Sequence, residues 1–134
     1  ILIENNVLSK KNYLLFKSNP FLFSESKSIN KIMKDLPKNV GLILDTGHLK
    51  VTCKTLGLNL SEEYKKVFKH IKAYHLSDNN GLADTNNLFT KNAWWFKKFK
   101  KKLDYYTIEV YDDDLSKLKK QVSIVEKKIN TKKF

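Results

Sequence analysis

The sequence predicts an α/β fold built from parallel strands. Four short apolar segments have the composition of strands, and amphipathic helical patterns separate them. One strand and one helix together take roughly 30–40 residues. A chain of 134 residues has the length of one domain. We therefore predict a single α/β domain over residues 1–134.

The predicted strands share a centre rich in Leu, β-branched and aromatic residues, which is typical of strands covered on both faces. They are residues 1–4 (ILIE), 40–45 (VGLILD), 71–78 (IKAYHLSD) and 106–112 (YTIEVYD).

The predicted helices carry apolar residues at helical spacing, which we expect to pack in the core. They are residues 24–36, 59–71, 93–103 and 114–129. The first begins with Ser residues suited to capping and is closed by Pro37, and Ser61 is the expected N-cap of the second. In the third, Trp95, Phe96 and Phe99 should face the core. In the fourth, the buried stripe should comprise Leu115, Leu118, Val122, Val125 and Ile129.

The interval between units is close to that of a (β/α)₈ barrel, whose eight units take about 250 residues. This chain supplies four units, and four tilted strands cannot close a barrel. The sequence also begins with Ile1, inside an apolar run. We therefore expect a half-barrel fragment of a longer protein, completed by a missing amino-terminal half or by a homo-oligomer.

Composition narrows the choice of partners. The formal net charge is +12, yet all 26 basic residues are Lys. Without Arg, which makes bidentate contacts to phosphates and bases, we do not expect nucleic-acid binding. No apolar run approaches the roughly 20 residues that span a membrane, so no membrane association is expected. The single Cys53 fits a reducing compartment and predicts a cytoplasmic protein.

Each predicted strand delivers a potential metal ligand at or near its carboxyl end. These residues are Glu4, Asp45, His75 and Glu109, and the strand ends of a parallel barrel converge on one face. Burying charged groups is costly unless they are paired or bind a metal. Three carboxylates and one imidazole suit a divalent cation such as Mn²⁺, Mg²⁺, Co²⁺ or Zn²⁺.

The order of the motifs IENN, LDTGHLK, HLSDNNGLADTNN and TIEVY resembles the carboxyl-terminal half of the xylose-isomerase-like barrel superfamily. That group includes sugar and sugar-phosphate isomerases and epimerases, and DNA-repair enzymes of the endonuclease IV type. The resemblance covers nearly the whole chain. It implies a divalent-metal-dependent isomerase or epimerase of carbohydrate metabolism.

The resemblance also implies residue roles. Glu4, Asp45, His75 and Glu109 would be the metal ligands, and the two glutamates would serve as acid and base. The implied reaction is proton transfer next to a carbonyl, through an enediolate. His48 would contact a substrate oxygen and is a catalytic candidate. Further substrate-binding candidates are Asn6, Lys50 and Asp84.

Two alternatives stay open. One is a zinc-dependent phosphodiesterase that cuts DNA at abasic sites. In that branch His48 would join an Asp-x-His motif in a further zinc site, but the sequence reads Asp84, Thr85, Asn86, and an amide is a poor zinc ligand. The other is a catalytically incomplete fragment, because a half-barrel lacks half of a substrate pocket.

Residues 5–23 form a long connection between a strand and a helix, which could cover the site as a lid. Its aromatic residues are Tyr13, Phe16, Phe21 and Phe23, and we expect most of them to pack in the core.

Overall fold

A computed structural model describes residues 1–131 as an α/β structure with one four-stranded sheet. The strands are β1 (Leu2–Glu4), β2 (Gly41–Asp45), β3 (Ile71–Leu76) and β4 (Tyr105–Ile108). They lie in sequence order, and every neighbouring pair is parallel. The prediction of parallel β/α units is confirmed. Each of the four strands begins within one residue of its predicted start.

Five α-helices accompany the sheet within residues 1–131. They are α1 (Lys10–Phe16), α2 (Ser26–Asp35), α3 (Thr46–Leu56), α4 (Leu60–Val67) and α5 (Leu115–Asn130). Crossover connections between parallel strands of one sheet are right-handed as a rule, which places the helices of successive connections on the same face of the sheet. The core lies between the sheet and these helices. Strand residues that alternate with the core residues point to the opposite face of the sheet.

Alternation along β2 and β3 separates the core from the polar residues. Leu44 pairs with Tyr74, and both are fully buried on the core side. The next pair is Asp45 with His75. Because successive side chains of a strand point to opposite faces, a strand that buries Leu44 presents Asp45 on the other side.

The sequence prediction of a helix over residues 93–103 is wrong. Only a 3₁₀ turn, Trp94–Lys98, forms there, and Phe99 is already extended. Tyrosine hydroxyls from the core replace the helical hydrogen bonds: Tyr64 donates to the carbonyl of Lys98, and the amide of Lys100 donates to Tyr74. Trp95, Phe96 and Phe99 are nevertheless buried, as the sequence analysis predicted.

Other sequence expectations need correction at the helices. The N-cap of α4 is Asn59, whose side chain accepts from the amide of Glu62, and not Ser61. On α5, Leu115 and Val122 are exposed by 62% and 44%. Gln121 takes the buried position instead, because its side-chain oxygen accepts a hydrogen bond from the amide of Phe89.

The connection after β1 holds α1, which the sequence analysis did not predict. None of the residues of α1 is buried. Phe23 packs in the core, whereas Phe16 is 53% exposed and Tyr13 is 36% exposed. The expectation that most of these aromatic residues pack is therefore wrong for Tyr13 and Phe16.

Among residues 1–131, no helix combines the length and the apolar composition needed to cross a bilayer.

Candidate metal site

The carboxyl ends of the strands bring four potential ligands together. Ligand atoms of Glu4, Asp45, His75 and Glu109 all lie within 4.8 Å of one another. These are the four residues that the sequence analysis selected. Glu4 ends β1, Asp45 ends β2, His75 is the next-to-last residue of β3, and Glu109 directly follows β4.

Asp45 has two roles, one for each carboxylate oxygen. Its Oδ1 accepts the amide of His48 at 2.7 Å and so caps α3, which begins at Thr46. Its Oδ2 is buried and lacks a hydrogen-bond partner among the described residues. The cap fixes the side chain, and the second oxygen stays free to bind a ligand.

The remaining ligands approach one another without forming hydrogen bonds. His75 Nδ1 lies 2.8 Å from Glu109 Oε2 and 3.4 Å from Glu4 Oε2. Among the described residues, both His75 Nδ1 and Glu109 Oε2 are buried without a hydrogen-bond partner. Buried polar atoms are normally paired. Three ligand atoms lie close together without a hydrogen bond, with Asp45 Oδ2 as the third, and such an arrangement fits a bound cation.

A second group adjoins the first and shares Asp45 with it. Ligand atoms of Asp45, His48 and Asp84 also lie within 4.8 Å of one another. His48 Nε2 is 3.0 Å from Asp84 Oδ2 and 3.9 Å from Asp45 Oδ2. On its other side, His48 Nδ1 lies 2.8 Å from the carbonyl oxygen of Asn5 and 3.4 Å from Glu4 Oε1.

These surroundings shift the protonation of both central residues. Burial raises the pKa of Asp45 to about 6, although the nearby His48 opposes the shift. Burial alone would lower the pKa of His48, but the hydrogen bond to Asp84 and the charge of Asp45 outweigh it and raise that pKa to about 9. In the metal-free protein His48 is therefore an imidazolium at neutral pH, held between carboxylates.

The loop after β3 is fastened to α3. Lys50 Nζ donates to Asp78 Oδ1 at 2.6 Å and also contacts the carbonyl oxygen of Asn79. Lys54 Nζ donates to the carbonyl of Asn80. The side-chain amide of Asn79 donates to the carbonyl of Gly47. Two lysines of one helix thus hold the start of the loop that carries Asp84 to His48.

Gly47 makes this close approach of loop and helix possible. A Cβ at this position would lie 2.8 Å from Ser77 Oγ and 2.9 Å from Asp84 Oδ1. Real Cβ atoms do not approach other atoms so closely. The glycine of the DTGH motif is therefore needed for packing of the loop against the first turn of α3.

Among the substrate-binding candidates, His48 and Asp84 lie at the site. The other two are engaged elsewhere: the amide of Asn6 donates to the carbonyl of Leu22, and the ammonium of Lys50 is held by Asp78 and Asn79. Asn86 is buried with a φ of 47°, and its carbonyl accepts from the amide of Tyr111. It is not in either ligand group.

Sequence reasoning missed the part that Asn5 plays. Asn5 is 1% exposed, and its side chain hydrogen-bonds to the backbone of Asp45. The only signal in the sequence is its position directly after Glu4.

Comparisons with known proteins supply no relative: no family model matches the sequence, and searches of curated proteins and of solved structures found no match.

Proposed function

We propose that this chain carries the metal site of a divalent-metal-dependent isomerase or epimerase that acts on a sugar or a sugar phosphate. The observation that carries the proposal is the convergence of Glu4, Asp45, His75 and Glu109 within 4.8 Å. Three carboxylates with one imidazole form a mixed oxygen and nitrogen set, which suits Mn²⁺, Mg²⁺, Co²⁺ or Zn²⁺. The unpaired buried atoms of this group support the same assignment.

The accessibility of the two glutamates supports acid–base chemistry at this site. The side chains of Glu4 and Glu109 are 35% and 30% exposed, whereas that of Asp45 is 1% exposed. A proton-transfer group must reach the substrate, and a purely structural ligand need not. We therefore assign proton removal and return to Glu4 and Glu109, and anchoring to Asp45.

A bound divalent cation would supply Lewis-acid polarisation of a sugar carbonyl, which acidifies the neighbouring C–H bond. One glutamate takes that proton, giving an enediolate of the sugar, and the other returns a proton to the adjacent carbon or to the opposite face. His48, with its ring fixed by Asn5 and Asp84, lies beside Glu4 and can donate a hydrogen bond to a substrate oxygen.

The half-barrel is also part of this proposal. β1 and β4 are edge strands among the described residues, and Tyr105 on β4 is 64% exposed. Parallel sheets are normally covered on both faces, so an uncovered face calls for further structure. Four more parallel units would cover it and close the wall of the substrate pocket. We expect the isolated chain to bind metal and to be inactive on sugars.

The first test is metal binding. Titration of the 134-residue chain with Mn²⁺ should give one strong site per chain, and Glu109→Gln should weaken it. Glu126→Gln, an exposed glutamate on α5, is the control and should leave the affinity unchanged. If Glu109→Gln binds Mn²⁺ as well as the wild type, the four-residue site is wrong.

The second test is chemistry. A protein with the complete barrel, supplied with Mn²⁺ in D₂O, should introduce deuterium next to the carbonyl of a ketose or ketose phosphate. Mass spectrometry of the recovered sugars would detect it. A metal-loaded protein that exchanges no proton with any sugar in a broad panel would contradict the isomerase proposal.

The second group of ligands favours one alternative, a zinc-dependent abasic-site phosphodiesterase. Asp45, His48 and Asp84 could hold an additional zinc ion, and such enzymes use several. Asn86 in place of a histidine and the absence of Arg argue against it. Nicking of an abasic DNA duplex by the zinc-loaded complete protein, with binding that weakens steeply in salt, would establish this alternative.

A further inference from the structure

Asn5 lies between the carboxyl ends of β1 and β2, and its side chain pairs with the backbone of Asp45. Its Oδ1 accepts from the amide of Asp45 at 2.7 Å, and its Nδ2 donates to the carbonyl of Asp45 at 3.3 Å. The side-chain amide thus satisfies both backbone groups of Asp45, as a neighbouring strand would. It continues the pairing of β1 and β2 beyond the last strand residue.

The backbone of Asn5 contacts a second functional residue. Its carbonyl oxygen lies 2.8 Å from His48 Nδ1. With Nδ1 donating to this carbonyl, Nε2 is directed at Asp84, 3.0 Å away. A single buried residue therefore contacts Asp45 through its side chain and His48 through its main chain.

We propose that Asn5 is a positioning residue that sets both Asp45 and His48. By holding the backbone of Asp45, it fixes the direction in which Oδ2 points. By accepting from Nδ1, it fixes the ring orientation of His48 and leaves Nε2 for Asp84, a substrate oxygen or a cation. Its effect on metal affinity rests on the proposed function, whereas its effect on the His48 ring does not.

The chemistry of asparagine explains why this residue type stands here. Pairing with a peptide group needs one donor and one acceptor, and the side-chain amide has both. An aspartate would lose the donor and add a like charge beside the buried Asp45. An alanine would leave the amide of Asp45 buried without a partner, which is costly.

The chain offers a matched control at the next position. Asn6 has the same side chain, but its amide donates to the carbonyl of Leu22 and contacts neither Asp45 nor His48 through a hydrogen bond. Asn5→Ala and Asn6→Ala therefore remove the same atoms from adjacent positions. Only the first removes the pairing with Asp45.

Calorimetric titration with Mn²⁺ alone is the first measurement, with each affinity corrected for the folded fraction from urea unfolding. Loss of an outer-shell partner of a metal ligand costs about 10–100-fold in affinity. We expect that loss for Asn5→Ala and less than about a twofold change for Asn6→Ala. Equal affinities of the two variants would overturn the proposal.

The second measurement needs no metal and keeps the proposal testable if Asn5→Ala folds poorly. In ¹⁵N-labelled wild-type protein, the Nδ1 proton of His48 should be a slowly exchanging resonance with contacts to residue 5. Asn5→Ala keeps the carbonyl that accepts from Nδ1 but removes the side-chain pairing with Asp45 that holds this carbonyl in place. We therefore expect that proton to exchange at least about tenfold faster in Asn5→Ala, and to be unchanged in Asn6→Ala. A residue with a merely structural role would lower stability without moving this resonance.

The two measurements separate the possible failures. If wild-type protein binds no Mn²⁺ but its His48 proton is protected and loses that protection in Asn5→Ala, the proposed function fails and the positioning of His48 by Asn5 holds. If the proton exchanges freely in the wild type, or is unchanged in a folded Asn5→Ala, the side chain of Asn5 does not position His48 and the inference is wrong.

Discussion

Within residues 1–131, two carboxylates are almost completely buried, and they differ in how their oxygens are paired. Glu63 on α4 is 3% exposed and Asp45 at the end of β2 is 1% exposed. Both oxygens of Glu63 are paired: Oε2 accepts the amide of Ser26 at the start of α2, and Oε1 accepts from Lys66. Asp45 uses one oxygen as a helix cap and leaves the other unpaired among the described residues.

The pKa values of the two groups shift in opposite directions. Burial alone would raise the pKa of Glu63, but hydrogen bonds from Lys66 and Ser26 outweigh it and lower the pKa. For Asp45 burial prevails, and the pKa rises to about 6. A buried carboxylate with all its partners stabilises the fold, here by joining α2 to α4. A buried carboxylate that lacks one is a candidate for binding a ligand, which supports the proposed metal site.

The largest expected effect is that of Asp45→Asn. Asparagine can still cap α3, so we expect the stability of the metal-free protein to stay within about 1 kcal/mol. Metal affinity should fall by more than the roughly 100-fold, about 2.7 kcal/mol, that loss of an outer-shell partner costs at most. Mn²⁺ titration and urea unfolding in EDTA measure the two quantities. If Asp45→Asn instead destabilised the metal-free protein strongly and bound Mn²⁺ as tightly as the wild type, Asp45 would be a structural carboxylate like Glu63.

Gly47→Ala tests whether the loop after β3 must pack against α3. The new Cβ would meet Ser77 and Asp84, and overpacking of this kind costs about 1–3 kcal/mol. Because Asp84 must move, its contact with His48 should lengthen. Urea unfolding measures the first effect, and the exchange rate of the His48 ring protons measures the second. Ala83→Gly, a small-residue change in the same loop, is the control.

Glu63→Gln is the isosteric counterpart of Asp45→Asn and should have the opposite outcome. It weakens the hydrogen bonds from Ser26 and Lys66, and bonds to a charged group contribute about 1.5–3 kcal/mol. Because Lys66 is exposed, we expect a loss near the lower end, about 1.5 kcal/mol. Mn²⁺ affinity should be unchanged. A weaker affinity at full folding would show that α4 influences the site.

The pH dependence of Glu63 is the smallest expected effect. Because its pKa is lower in the folded state, its contribution to stability is complete above the unfolded value of about 4.3 and is lost as the pH falls through the folded value. The difference in unfolding free energy between wild type and Glu63→Gln should therefore be largest at neutral pH and shrink below about pH 4. If the difference in unfolding free energy were the same at pH 7 and pH 3, the destabilisation by Glu63→Gln would come from packing and not from the charge of Glu63.

The sequence was sufficient to identify the ligand group because strand periodicity is local. A run such as GLILD, with apolar residues up to a terminal Asp45, predicts both a buried strand and a polar side chain at its end. Parallel strands then bring Asp45 and His75 to one rim, whatever the details of the helices. The four residues selected in this way are the four that the structure brings within 4.8 Å.

The backbone conformation of residues 94–103 could not be predicted in the same way. Trp95, Phe96 and Phe99 have helical spacing, but the backbone there hydrogen-bonds to the hydroxyls of Tyr64 and Tyr74. Those tyrosines are distant in sequence, so no local pattern indicates their influence. The same holds for Gln121 on α5, which is buried because of its partner Phe89.

By itself the sequence determined the four strands, their parallel arrangement and the identity of the four candidate ligands, because these follow from local apolar runs and the polar residues that end them. Only the tertiary structure decided which polar atoms are paired. Asn5, Lys50 and Glu63 are polar residues of ordinary appearance, and their roles depend on partners 28 to 40 residues away. Hydrogen-bond partners are set by the folded arrangement in space, which sequence spacing does not encode.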